Sequence, residues 1–114
     1  MNNNFFKELA RAMNKIEKDS IRHIYIINPD IQAKAYRLFS DFLSSGVTAR
    51  LGCNPAYSQI TVIVDTYVLN VNTQVHKANL LCADIICIDS AIDGKLHIEC
   101  SFNNAFTKVG EINE

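Results

Sequence analysis

Apolar and polar positions alternate with several different periods along the chain, and each change of period marks an element. Residues 5 to 18 place Phe5, Leu9, Ala12, Met13 and Ile16 at helical spacing, which predicts an amphipathic first helix. Ile21 to Ile27 (IRHIYII) is β-branched and aromatic with little polar surface on either side, as expected of a central strand. Asn28-Pro29-Asp30 starts the next helix: Asn28 caps the free amides, Pro29 suits the first turn, and Asp30 favours the positive end of the dipole. Its apolar stripe of Ile31, Ala35, Leu38, Phe39, Phe42 and Leu43 runs to about Ser45, and Gly46 closes it. Val47 to Leu51 is then a returning strand, parallel to the first if the crossover is right-handed.

Gly52 to Tyr57 is rich in turn residues, and Ser58 to Val71 (SQITVIVDTYVLNV) is the richest β segment. We expect one long strand, bent by a bulge near Asp65-Thr66, with Asp65 as an inward carboxylate. Thr73 can cap a short helix from Gln74 to about Leu81.

The clearest local instruction is a β-hairpin around Asp93-Gly94. Ile85 to Ile88 is an unbroken apolar run, the pattern of an interior strand, whereas Leu96, Ile98, Cys100 and Phe102 alternate with polar residues, as nearer an edge or open face. A two-residue loop would strand Asp89 opposite Ile98 on the apolar face. A three-residue loop of Ile92-Asp93-Gly94, with Gly94 left-handed, pairs Ile88 with Ile98, Ile86 with Cys100 and Asp89 with His97, and keeps Cys87 and Cys100 from facing each other. The three-residue loop is the expected one, because it spares the carboxylate an apolar setting. Residues 103 to 114 look like a flexible tail, anchored by Phe106 and Val109.

The order is an N-terminal helix followed by β-α-β-β-α-β-β, which gives a single α+β domain over residues 1 to 114 with a mixed or mainly antiparallel sheet of about five strands. The first six elements after the helix resemble a ferredoxin-like split βαβ in their order alone, and such folds host many unrelated functions.

Composition narrows the function classes. At 114 residues, the chain is long enough to bury about two-thirds of its extended surface without metals or disulfides. No apolar run reaches the roughly 20 residues of a membrane span, and the N-terminus lacks a secretory pattern, so a cytoplasmic protein is expected. Cys53, Cys82, Cys87 and Cys100 contain no CxxC pair, and no metal or other cofactor is expected.

Net charge is −1, but residues 1 to 50 carry eight of the eleven Lys and Arg, and residues 51 to 114 carry seven of the twelve acids. Lys7, Arg11, Lys15 and Lys18 step along one face of the first helix, with Arg22 beyond it, as candidate contacts for an acidic protein surface or for phosphates. Near-neutral charge and the lack of an aromatic-basic motif disfavour nucleic acid. The weak enzyme alternative rests on Cys53, in a Gly-Asn-Pro turn, and on Asp89 and His97, an exposed cross-strand pair with Glu99 beside it. No glycine-rich phosphate loop accompanies them. The expectation is therefore a non-enzymatic protein-interaction domain, such as a phage or mobile-element inhibitor or accessory factor. A homodimer through an uncovered strand edge or the first helix is part of it.

Overall fold

The chain is an α+β protein with an N-terminal helix, and its computed structural model describes residues 3–14 and 21–113. Helix α1 spans Asn3–Asn14, with Phe5, Leu9 and Ala12 buried as the spacing predicts. Strand β1 (Ile21–Ile27) leads into α2 (Pro29–Ser44), where the Asn28 side chain accepts from the Asp30 amide at 3.0 Å as the expected N-cap. At the other end, Gly46 takes φ +78, its amide donates to the Leu43 carbonyl, and the Val47 amide reaches back to Phe42. That double closure is a Schellman ending, and it turns the chain into β2 (Thr48–Asn54).

A short 3₁₀ turn at Pro55–Tyr57 joins β2 to β3 (Gln59–Tyr67). Gly52 and Cys53 thus belong to β2, and the turn is shorter than its composition suggested. β3 is a straight nine-residue strand, not a long bent one, since its pairing with β5 shows no register shift at Asp65. It stops at Tyr67 because its neighbours stop there: β5 begins at Lys95, opposite Tyr67, and β2 at Thr48, opposite Asp65. Val68–Asn70 forms a 3₁₀ turn, and α3 (Val71–Leu80) starts earlier than a Thr73 cap would allow.

After α3 come β4 (Asp84–Ser90), β5 (Lys95–Phe102) and β6 (Phe106–Asn113), the last within the stretch expected to be a tail. The six described strands are all antiparallel and lie in two sheets, β2-β3-β5-β4 and β1-β6. This corrects three expectations. β1 is not central and not beside β2, so the ferredoxin-like arrangement is not confirmed; β4 is an edge strand, and β5 is interior. A four-residue apolar run signals coverage on both faces only where neighbours supply it. Here Ile85 packs on the core while Ile86 and Ile88 remain 52% and 51% exposed.

One core holds the elements together. Leu38, Phe39 and Phe42 of α2 meet Val62, Val64, Ile98 and Cys100 of the sheet, and the Phe5 ring stands edge-on to those of Tyr36 and Phe39 at 5.3 and 6.0 Å. The β1-β6 ribbon joins this core at its base through Tyr25, Ile27 and buried Phe106. Asn28 and Ala105 pin that base, the Asn28 amide donating to Ala105 and the Ala105 amide to Ser58, both at 2.8 Å. Phe106 anchors as expected, whereas Val109 is exposed at a bulge in the β1-β6 pairing.

Candidate functional site

Strict alternation on β3 sends Ile60, Val62, Val64 and Thr66 into the core and leaves Thr61, Ile63 and Asp65 on the opposite, outer face. Asp65 is therefore not the inward carboxylate expected from a bent strand. The same parity on β5 buries Ile98 and Cys100 and turns His97 and Glu99 outward, with His97 directly across from Asp65.

The hairpin register near the turn follows the three-residue loop. Ile88 faces Ile98, Asp89 faces His97, and the Ala91 amide closes on the Lys95 carbonyl at 3.0 Å. Asp93 and Gly94 both take positive φ, 63 and 73. Farther along, a bulge removes Ile86 from the ladder, so Ile85, not Ile86, lies opposite Cys100. Cys87 lies opposite Glu99 and so does not face Cys100, as the three-residue loop required. No sequence signal marked the bulge.

His97 sits between two carboxylates. Its Nδ1 is 3.2 Å from Asp65 Oδ1 and its Nε2 is 3.0 Å from Glu99 Oε2. Whichever nitrogen holds a proton, the ring donates to at least one carboxylate, and the doubly protonated ring donates to both. Asp89, the partner expected from the hairpin, sits across from His97 in register while its side chain accepts from the Ser90 amide. A general base must offer one ring nitrogen to its substrate. Both nitrogens of His97 instead lie within hydrogen-bond distance of carboxylates inside the sheet, so the cluster ties β5 to β3.

A polar cleft of about 460 Å³ lies beside it, lined by Arg50, Asp65, Asp89, Asp93, Lys95 and His97 among others. The Lys95 ammonium lies 5.1 Å from the centre of the Tyr67 ring. A second cleft of about 460 Å³ is apolar, formed by Phe6, Pro29, Gln32, Ala33 and Tyr36 where α1 meets α2.

Cys53, Cys87 and Cys100 are poor nucleophiles in these surroundings. Cys53 lies in β2 opposite Ile60, and burial pushes its thiol up to about 12, as it does that of Cys100. Cys87 is raised as well, by burial first and then by Glu99, to which its thiol hydrogen-bonds, and Asp89. A thiolate is favoured by a cation beside it, whereas Cys53 and Cys100 lie among hydrocarbons and Cys87 beside the negative charges of Glu99 and Asp89.

These shifts bear on alkaline stability. The thiols of Cys53 and Cys100 titrate near 9 when unfolded and near 12 when folded, so the folded state resists losing their protons. Their contribution is intact below about pH 9 and is lost as pH rises from there towards 12. The urea midpoint should fall more steeply between about pH 8 and pH 11 than in a Cys53→Val/Cys100→Val variant. Equal slopes would contradict this account.

Among the basic candidates, Lys7 is exposed and Arg11 is ion-paired with Glu8 one turn away. Lys15 and Lys18 lie outside the described residues, and Arg22 is placed in β1 opposite Ile112. Among the described residues, no group of three or more His, Cys, Asp and Glu is arranged to hold a metal ion, and no helix is long and apolar enough to cross a membrane.

The sheet's two edges differ. No described strand pairs with the free side of either β2 or β4; α1 packs closely against β2, and α3 touches β4 more sparsely. Because Ala91 and Asp89 turn their backbone groups towards β5, the neighbouring Ile88 and Ser90 turn theirs outward, where the Ser90 amide donates to the Asp89 side chain while the Ile88 amide and both carbonyls meet no described strand. This edge carries no Lys or Pro; its guards are Asp84, Asp89 and the bulge at Ile86, which leave the stretch from Cys87 to Ser90 as its regular part. Comparison with protein-family models, curated proteins and solved structures finds no match to this chain.

Proposed function

We propose that this chain is a protein-interaction domain that works without catalysis, occupying a partner's surface by adding an extended segment of it to the open edge of β4. The observation that carries this reading is the exposure of Ile86 and Ile88, at 52% and 51%, on an edge strand whose Ile88 amide and Ile88 and Ser90 carbonyls point outward. Strand addition satisfies such groups through main-chain hydrogen bonds, and exposed apolar side chains beside them add the contact area. Apolar residues at the same end of the sheet, Leu69 (95% exposed) and Ile92 (83%), would widen the contact. The engaged nitrogens of His97 and the raised thiols favour binding over chemistry. An inhibitor or accessory factor acts in this way.

The test is cross-linking capture in the source cells, comparing the unaltered chain with an Ile86→Asp/Ile88→Asp variant. Both side chains are half exposed, so the variant should keep its far-ultraviolet dichroism and its thermal midpoint while losing the captured protein. Capture of the same protein by a folded variant would move the interface elsewhere and sink this reading.

A further inference from the structure

The edge also restricts the kind of strand it accepts. Resting on the reading of β4 as a docking edge, we propose that its partner is an extended segment of another protein in which basic and apolar residues alternate. β4 reads DIICIDS, with two acids and no Lys or Arg. Asp89 is exposed on the outer face, Cys87 lies next to it on that face, and Asp93 follows in the turn; Glu99 beside them is turned to His97, and Arg50 and Lys95 line the same cleft, so Asp89 is the carboxylate the edge itself presents. A strand added beside β4 bonds to the outward amide and carbonyl of Ile88 and to the Ser90 carbonyl, and reaches the Ser90 amide only by displacing the Asp89 side chain from it. Its residue opposite Asp89 then falls in the closely spaced, non-hydrogen-bonded position, about 4.5 Å between Cα atoms. At that distance a Lys or Arg meets the carboxylate, and the next residue, opposite Ile88, lies on the apolar side.

The same geometry disfavours a second copy of this chain. Antiparallel self-pairing centred on Asp89 opposes the two Asp89 carboxylates directly. Centring on Ile88 sets Asp89 against the other copy's Cys87, beside its Glu99. Centring on Cys87 sets Asp89 against Ile85. None supplies a cation, and like charges opposed across a sheet are destabilising. The bulge at Ile86 further limits regular self-pairing to the stretch beyond it.

The probe is a capped heptapeptide of alternating valine and lysine, titrated into ¹⁵N-labelled protein. Its controls are the valine-glutamate counterpart, a non-alternating isomer of the lysine peptide, and a lysine peptide N-methylated at alternate residues. We expect the largest amide shifts at Ile88 and Ser90 with the alternating lysine peptide, and binding weakened about tenfold by N-methylation and by Asp89→Lys. Binding of the non-alternating isomer as tight as that of the alternating one would reduce the effect to charge and overturn the proposal. So would unshifted Ile88 and Ser90 amides at millimolar peptide, or a concentration-dependent doubling of mass that the peptide does not reverse. If the peptide fails while Ile86→Asp/Ile88→Asp still abolishes capture, the docking edge stands and only its preference for basic strands falls.

Discussion

Phe39→Ala is expected to lower the unfolding free energy by about 3–5 kcal/mol, the range for deleting a large aromatic side chain from a packed core. Phe39 is 1% exposed and lies where α1, α2 and the sheet converge, its ring edge-on to Phe5. Phe39 also lines a cleft with Lys7, Glu8, Leu43 and Ala49, so its removal would enlarge that opening between α1, α2 and β2. α1 has few other aromatic anchors here, since Phe6 is 46% exposed. Urea denaturation measures the loss, and hydrogen exchange should show α1 amides losing protection ahead of the sheet. A change under about 1.5 kcal/mol would mean that Phe5 and Leu43 refill the space.

His97→Ala is expected to cost about 2 kcal/mol, less than two full charge-assisted hydrogen bonds, because the ring and both carboxylates remain partly exposed. The variant leaves Asp65 and Glu99 facing an empty position on the outer face, with Asp89 across the hairpin. Neutralising the acids in an Asp65→Asn/Glu99→Gln background should shrink the cost of removing His97 markedly, since amides do not repel one another as carboxylates do. An undiminished cost in that background would place the role of His97 in packing.

How far the sequence revealed the fold depended on whether an element's signal was local. α2 was legible from end to end: the Asn28 cap, the stripe through Phe42 and the Gly46 closure are short-range chemistry, and each stands in the structure. The hairpin register near Asp93-Gly94 was legible for the same reason, with the misplaced Asp89 deciding between two loops. What failed was long-range. Ile21 to Ile27 and Ile85 to Ile88 have apolar residues on both sides, and apolarity does not say whether the cover comes from this chain or from a partner. β6 was missed because Gly110 and the bulge near it blur the period of a largely polar segment. The His97 cluster was half visible: Asp89 and Glu99 were placed with His97 through the hairpin, but Asp65 needed the register of β3 against β5. Unbroken alternation through Ile60, Val62 and Val64 already put Asp65 on the outer face, and the assumed bend hid it.

The pairing of β1 with β6 sets an order of events during synthesis. β1 is made early, yet the only described strand that satisfies its ladder is β6, which emerges after α2, α3 and the whole four-stranded sheet have been made. The intervening elements fold through nearer neighbours, while the ribbon must close the longest loop in the molecule and so comes last. Until it does, Ile24 and Ile26 sit on a bare, β-prone segment beside an emerging chain. The interval before residues 106 to 113 arrive is the time of greatest exposure to aggregation, and to capture by chaperones.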